Sequence, residues 1–123
     1  MVRRAWHPVA MASDECWLVS DGHVLASAER AEGRRAHMRG LLGREGIDGA
    51  FVLEPCRWVH TIGMKFAIDV AYLDAEGVVL KTVRMKRNRL GAPVPHARIV
   101  VEAQAGAFAR WGLGVGDQIE VRE

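Results

Sequence analysis

Phe66-Ala67-Ile68-Asp69-Val70-Ala71-Tyr72-Leu73 is the stretch that decides the fold. Large apolar side chains recur at every second position, Phe66, Ile68, Val70 and Tyr72, while Ala67, Asp69, Ala71 and Leu73 fall between them. Successive side chains of an extended chain point to opposite sides, so this period of two specifies a β-strand with two unlike faces. Residues 74–77 carry Asp and Gly, a turn signal, and residues 78–85 are rich in β-branched side chains. The two runs read as an antiparallel hairpin.

The same reading extends outward in both directions. Residues 16–20 and 23–26 are apolar runs separated by Asp21-Gly22, the dipeptide that best supplies the positive φ angles of a tight hairpin turn. Residues 28–42 are rich in Ala, Glu and Arg and predict a helix that Gly43 ends. Asp48-Gly49 predicts a turn, residues 50–53 a strand that stops before Pro55, and residues 58–61 an extended segment. Beyond the hairpin, residues 88–97 hold one Gly and two Pro and predict a loop, and residues 98–103 contain a further apolar run. Residues 107–111 suit one or two helical turns, and a glycine-rich turn over 112–117 leads to a closing strand over 118–121. The fold class expected is mainly β (α+β), a single compact β-sandwich or small barrel with one or two peripheral helices.

A chain of 123 residues holds one hydrophobic core, so residues 1–123 read as a single domain. Hydrophobic residues at 50% and charged residues at 26% exclude an intrinsically disordered chain. The formal charge of +2 favours no class of partner. No run approaches the roughly 20 apolar residues of a membrane span, and polar residues interrupt the first sixteen positions, so a cytoplasmic location is expected. Cys16 and Cys56 are far apart and read as two reduced thiols. No motif requires a cofactor or a metal.

Three blocks of residues occur in a distinctive order. Gly40-Leu41-Leu42-Gly43-Arg44 comes first, then residues 56–70, CRWVHTIGMKFAIDV, then Leu73-Asp74 and a closing Gly-Leu-x-x-Gly-Asp over 112–117. Together they resemble the domain-of-unknown-function 192 family over about residues 28–121. The resemblance implies a compact β-rich fold and no established activity. Two positions depart from the family's commonest form: His60 stands where relatives often carry Asn, and Ala67 where they often carry Pro. Thr61 and Asp69 match.

Asp69 is the most informative single residue, because an ionised carboxylate inside an apolar strand is costly unless donors replace water. Its expected role is to accept bonds from residues 57–64 and so to position His60 and Thr61. The small Ala67 and Ala71 leave room for another segment, or a ligand, to approach the same face. The preferred reading is a non-enzymatic module that binds a small polar or anionic ligand, or a peptide, through Arg57, His60, Thr61, Lys65 and Asp69. Cys56 and His60 are the weaker candidates for a thiol hydrolase or transferase, whose nucleophile would need a base within hydrogen-bond reach. Cys56, His60 and His96 lack a diagnostic zinc spacing. Lys81, Arg84, Lys86, Arg87 and Arg89 form the densest basic run, but no aromatic residue interleaves it for stacking on bases, so nucleic acid is not the expected partner. A purely structural or interaction domain is favoured if no pocket forms near Asp69.

Overall fold

The structure, a computed structural model, describes residues 14–31 and 41–123. In chain order these form β1 (Asp14–Ser20), β2 (His23–Ala31), β3 (Ala50–Leu53), β4 (Ile68–Leu73), β5 (Val79–Met85), β6 (Ile99–Gln104), α1 (Ala107–Trp111) and β7 (Glu120–Arg122). The fold is mainly β with one short helix among the described residues, as the alternation predicts. Its seven strands form one sheet in the order β5-β4-β6-β3-β2-β1-β7. All neighbours run antiparallel except β2 and β3, which are parallel. The sheet edges approach each other where Val78 and Gln118 form an isolated bridge and Ile119 N–H donates to Gly77 O at 2.9 Å, but the sheet does not close into a barrel.

Both predicted hairpins are present. Ser20 pairs with His23 across Asp21 and Gly22, whose φ angles of 52° and 80° are the two left-handed values that a type I′ turn requires. Between β4 and β5, Asp74 Oδ1 accepts the Glu76 and Val78 N–H groups, each at 2.9 Å, and Gly77 turns the chain with φ 85°. A β-carbon on Gly77 would stand 2.3 Å from the Ile119 carbonyl oxygen, so only glycine fits this crossing.

One element differs from expectation. The helix expected over residues 28–42 does not begin at Ala28, because residues 28–31 continue β2, paired on one side with β1 and on the other with Ala50–Leu53 of β3. Two ladders of backbone hydrogen bonds and the burial of Ala28 outweigh a helix preference worth a few tenths of a kcal/mol per residue. Residues 32–40 of that expectation lie outside the described residues. Residues 58–61, expected to be extended, stay outside the named strands and pair with the chain after β5 through a His60–Leu90 bridge.

The alternation in β4 sorts the core. Ile68, Val70 and Tyr72 pack with Phe51, Leu53 and Val100 on one face, under Val59, Met64, Phe66 and Val94. Ala71 and Leu73 lie on the other face, with Val52, Val101 and Ala103, against Cys16, Leu18, Phe108 and Ile119. The curled sheet therefore encloses one apolar cluster, while a loop layer covers the other.

Candidate functional site

That loop layer is an irregular ribbon in which residues 56–63 run antiparallel to residues 88–98. Cys56 N–H donates to Arg98 O, Val94 N–H to Arg57 O, Gly91 N–H to Val59 O, and Thr61 N–H to Arg89 O. Pro93 and Pro95 lack N–H groups, which keeps the second half from forming a regular ladder. Trp58 locks the middle by donating Nε1–H to Gly91 O at 2.6 Å. Thr61, completely buried, locks the tip. Its hydroxyl donates to Lys86 O and accepts the Arg89 N–H at 2.9 Å, while its carbonyl accepts from Asn88 and Met64. Asn88 Oδ1 in turn accepts the Gly63 N–H at 2.9 Å.

His60 sits at this tip, half-buried, with its ring edge toward Trp58 at 5.6 Å and its Nδ1 accepting the Ile62 N–H at 3.2 Å. Arg57 and Lys65 are exposed. Cys56 is partly buried, and its Sγ donates to Trp58 O at 3.3 Å. Residues 56–65 and 86–98 together hold six of the seventeen Lys and Arg residues and none of the fifteen Asp and Glu. Among the described residues no carboxylate pairs with Arg57, Lys65, Lys86, Arg87 or Arg89. The weak net charge thus conceals a strong segregation.

Asp69 does not join this group. It is buried as expected, but its donors are Arg84 Nε at 3.0 Å, Gly106 N–H at 2.9 Å and Phe108 N–H at 3.1 Å, not residues 57–64. The reason is the strand alternation itself. Ile68 and Val70 face the ribbon, so the side chain between them faces away, toward α1. Gly106 caps α1 without a side chain of its own, and Asp69 supplies the missing acceptor from a neighbouring strand. The space beside Ala67 and Ala71 is filled by this segment, with Ala105 N–H reaching Ala67 O at 3.4 Å.

Two surface clefts lie elsewhere, and neither is lined by Arg57, His60, Thr61, Lys65 or Asp69. One is bounded by Val19, Asp21, Glu76, Asp117, Ile119 and Glu120, and the other by Asp74, Leu80, Lys81, Val94, His96 and Arg98. Among the described residues no three His, Cys, Asp or Glu side chains gather to hold a metal ion.

Beneath the ribbon is a polar group that the sequence did not expose. Glu102 is completely buried on β6, opposite Phe51 and Val70. Burial, the charge of Glu102 and the nearby Cys56 push the Tyr72 hydroxyl up to about 12, so the phenol stays protonated at neutral pH. Glu102 was hidden because Ile99-Val100-Val101 reads as a continuous apolar run. The visible signal was the period of two, which puts Val100 and Glu102 on one face.

A curled, open antiparallel sheet with one parallel pair, a capped short helix and a basic loop ribbon defines the structural class of this domain. The chain belongs to the DUF192 family, described as an uncharacterized ACR, whose model matches residues 17–121. No curated protein matches the sequence. Two solved structures share the fold. One is a protein of unknown function from Novosphingobium aromaticivorans DSM 12444, with TM-score 0.68 and 15% identity over 88% of this chain and 84% of that one. The other is a "putative transcription regulator" from Sinorhizobium meliloti 1021, with TM-score 0.69 and 17% identity over 89% of this chain and 93% of that one. No helix among the described residues is long and apolar enough to cross a membrane.

Proposed function

We propose that the domain is a non-enzymatic binding module that holds an anionic ligand or acidic segment on the open outer face of the 56–65 and 86–98 ribbon. The observation that carries this reading is the concentration there of six cations without a carboxylate. Such a field attracts negative charge over about a Debye length, roughly 8 Å at physiological salt. Arg57, Lys65, Lys86, Arg87 and Arg89 supply the attraction and His60 a polar ring at the tip. Thr61 holds the two halves in register, and Asp69 acts at a distance by fixing α1 on the opposite face. An open face with no enclosing walls suits an extended or surface-borne ligand better than a buried metabolite. The hydrogen bonds of Cys56 to Trp58 O and of His60 to Ile62 N–H favour structural roles for both over a thiol–imidazole pair. Cys16 and Cys56 are not joined in a disulfide, which accords with a cytosolic setting.

Titration with pyrophosphate, followed by amide chemical shifts, tests this. The expected result is saturable shifts in residues 57–65 and 86–90 that weaken with added salt and with Lys86→Ala and Arg87→Ala combined. Shifts absent from those residues, or confined to the two clefts, would overturn the proposal.

A further inference from the structure

The cationic tip has a counterpart at the other end of the same hairpin. β4 enters at Ile68 beside Met85 and leaves at Leu73 beside Val79. Residues 86–90 and 74–77 therefore lie at opposite ends of the hairpin, roughly 20 Å apart at about 3.3 Å per residue. The bridge from Val78 to Gln118 brings residues 116–119 to the Asp74 end, and the bond from Ser20 Oγ to Gln118 O brings the β1–β2 turn there too. The cleft at that end is lined by four carboxylates, Asp21, Glu76, Asp117 and Glu120, and by no cation. Glu120 is paired with Arg122, at 2.8 Å, just outside it.

Apart from Trp17, within β1 opposite Ser27 and Arg122, the exposed large apolar side chains of the described residues lie toward one end or the other. Ile62, Leu90 and Leu42 lie at the cationic end: Ile62 beside the Gly63 turn, Leu90 bridged to His60, and Leu42 against Gly63. Val24, 62% exposed and paired with Val19, and Val115, 65% exposed and next to Gly116, flank the acidic cleft that Val19 and Gly116 line. The cationic tip and the acidic cleft thus each combine one sign of charge with exposed aliphatic groups, the pairing from which association surfaces are built, while Lys81, His96 and Arg98 line the separate cleft that Asp74 and Glu76 also border.

We infer that the occupant of the cationic tip is the acidic end of a second copy of this chain, in a head-to-tail contact. The inference rests on the binding face proposed above and names its partner. The undescribed parts of the chain are poor alternatives by charge, because residues 1–13 carry two Arg and no carboxylate, and residues 32–40 carry three Arg and one Glu. Because the two surfaces differ, the contact is heterologous, and copies add in rings or open chains rather than closing as a symmetric dimer.

Sedimentation of the full chain at low salt, about 20 mM, and at high salt, about 300 mM, tests this, since screening separates an electrostatic contact from an apolar one. The apparent mass is expected to rise above the 13.6 kDa monomer with concentration at low salt and to return to it at high salt. Lys86→Glu with Arg87→Glu reverses one end, and Glu76→Lys with Glu120→Lys reverses the other. Each double variant alone should be monomeric, and an equimolar mixture should associate again, because each variant retains the intact end that the other lacks and the two reversed ends are themselves complementary. Thermal melting like that of the parent establishes that the variants fold, and Lys65→Glu serves if the first basic-end pair does not. A parent that stays monomeric at low salt, variants that associate as it does, or a mixture that remains monomeric would overturn the inference. A monomeric parent whose 86–90 amides still shift with pyrophosphate, an acidic peptide or duplex DNA keeps the binding face and makes its occupant foreign. Loss of both effects removes both proposals.

Discussion

Replacing Asp69 by Ala removes acceptors from three donors whose settings differ, and the difference sets the expected cost. The Phe108 N–H is buried, so leaving it without an acceptor costs about 2 kcal/mol. The Gly106 N–H is partly buried and regains some solvation, for a loss of about 1 kcal/mol. Arg84 is 59% exposed, so its ion pair with Asp69 is screened by solvent and adds at most about 0.5 kcal/mol. The variant should therefore lose about 3 kcal/mol, and its melting temperature should fall by roughly 12 °C at about 4 °C per kcal/mol for a domain of this size. Asp69→Asn keeps one acceptor oxygen for the two N–H groups but loses the charge that strengthens them, so about 1 kcal/mol is expected. Urea unfolding gives the free energies, and amide exchange gives the location. Protection should fall at residues 105–113 in the Ala variant and stay unchanged at residues 57–64. A variant that melts like the parent, or one that loses protection in 57–64 instead, would refute the assignment of Asp69 to α1.

Three further expectations follow from single contacts. Tyr72 is the only tyrosine, so absorbance near 295 nm reads it directly; its native midpoint should fall near pH 12, against about 10 when the chain is unfolded. Because the folded value is raised, the stabilisation this gives is complete below pH 10 and is lost as pH rises toward 12. It amounts to about 2 to 3 kcal/mol, and Tyr72→Phe should remove that part of the alkaline fall in stability. A native midpoint near 10 would place the phenol in water. Thr61→Val should cost about 1 to 3 kcal/mol and speed exchange at Arg89, whose N–H loses its acceptor, while Thr61→Ser should retain most of the stability. Gly77→Ala meets both a φ of 85° and the Ile119 carbonyl, so a loss of about 2 kcal/mol or more by thermal melting is expected; unchanged melting would mean that the turn and residues 117–119 move apart without cost.

The sequence by itself determined the elements whose signals are local. Alternation in residues 66–73 assigned the strand and both its faces, and Asp21-Gly22 and residues 74–77 assigned their turns, because side-chain direction and positive φ are properties of the chain over a few residues. It also raised the expectation that Asp69 is buried, because Ala67, Ala71 and Leu73 on its face are apolar, and the structure shows it buried. Tertiary structure alone decided which donors meet that carboxylate. α1 is 38 residues away in sequence at Ala107 and reaches Asp69 only through the placement of β6 between β4 and β3. The same holds for residues 28–31, whose helix-favouring composition yields to two strand partners, one from across a turn and one from β3. The charge segregation was present in the sequence as separate residues, but a net charge of +2 averages it away. Only the antiparallel ribbon, built on Thr61, Trp58 and Gly91, brings the two distant segments that carry these cations together, because proximity between residues 25 or more apart is set by packing and not by pattern.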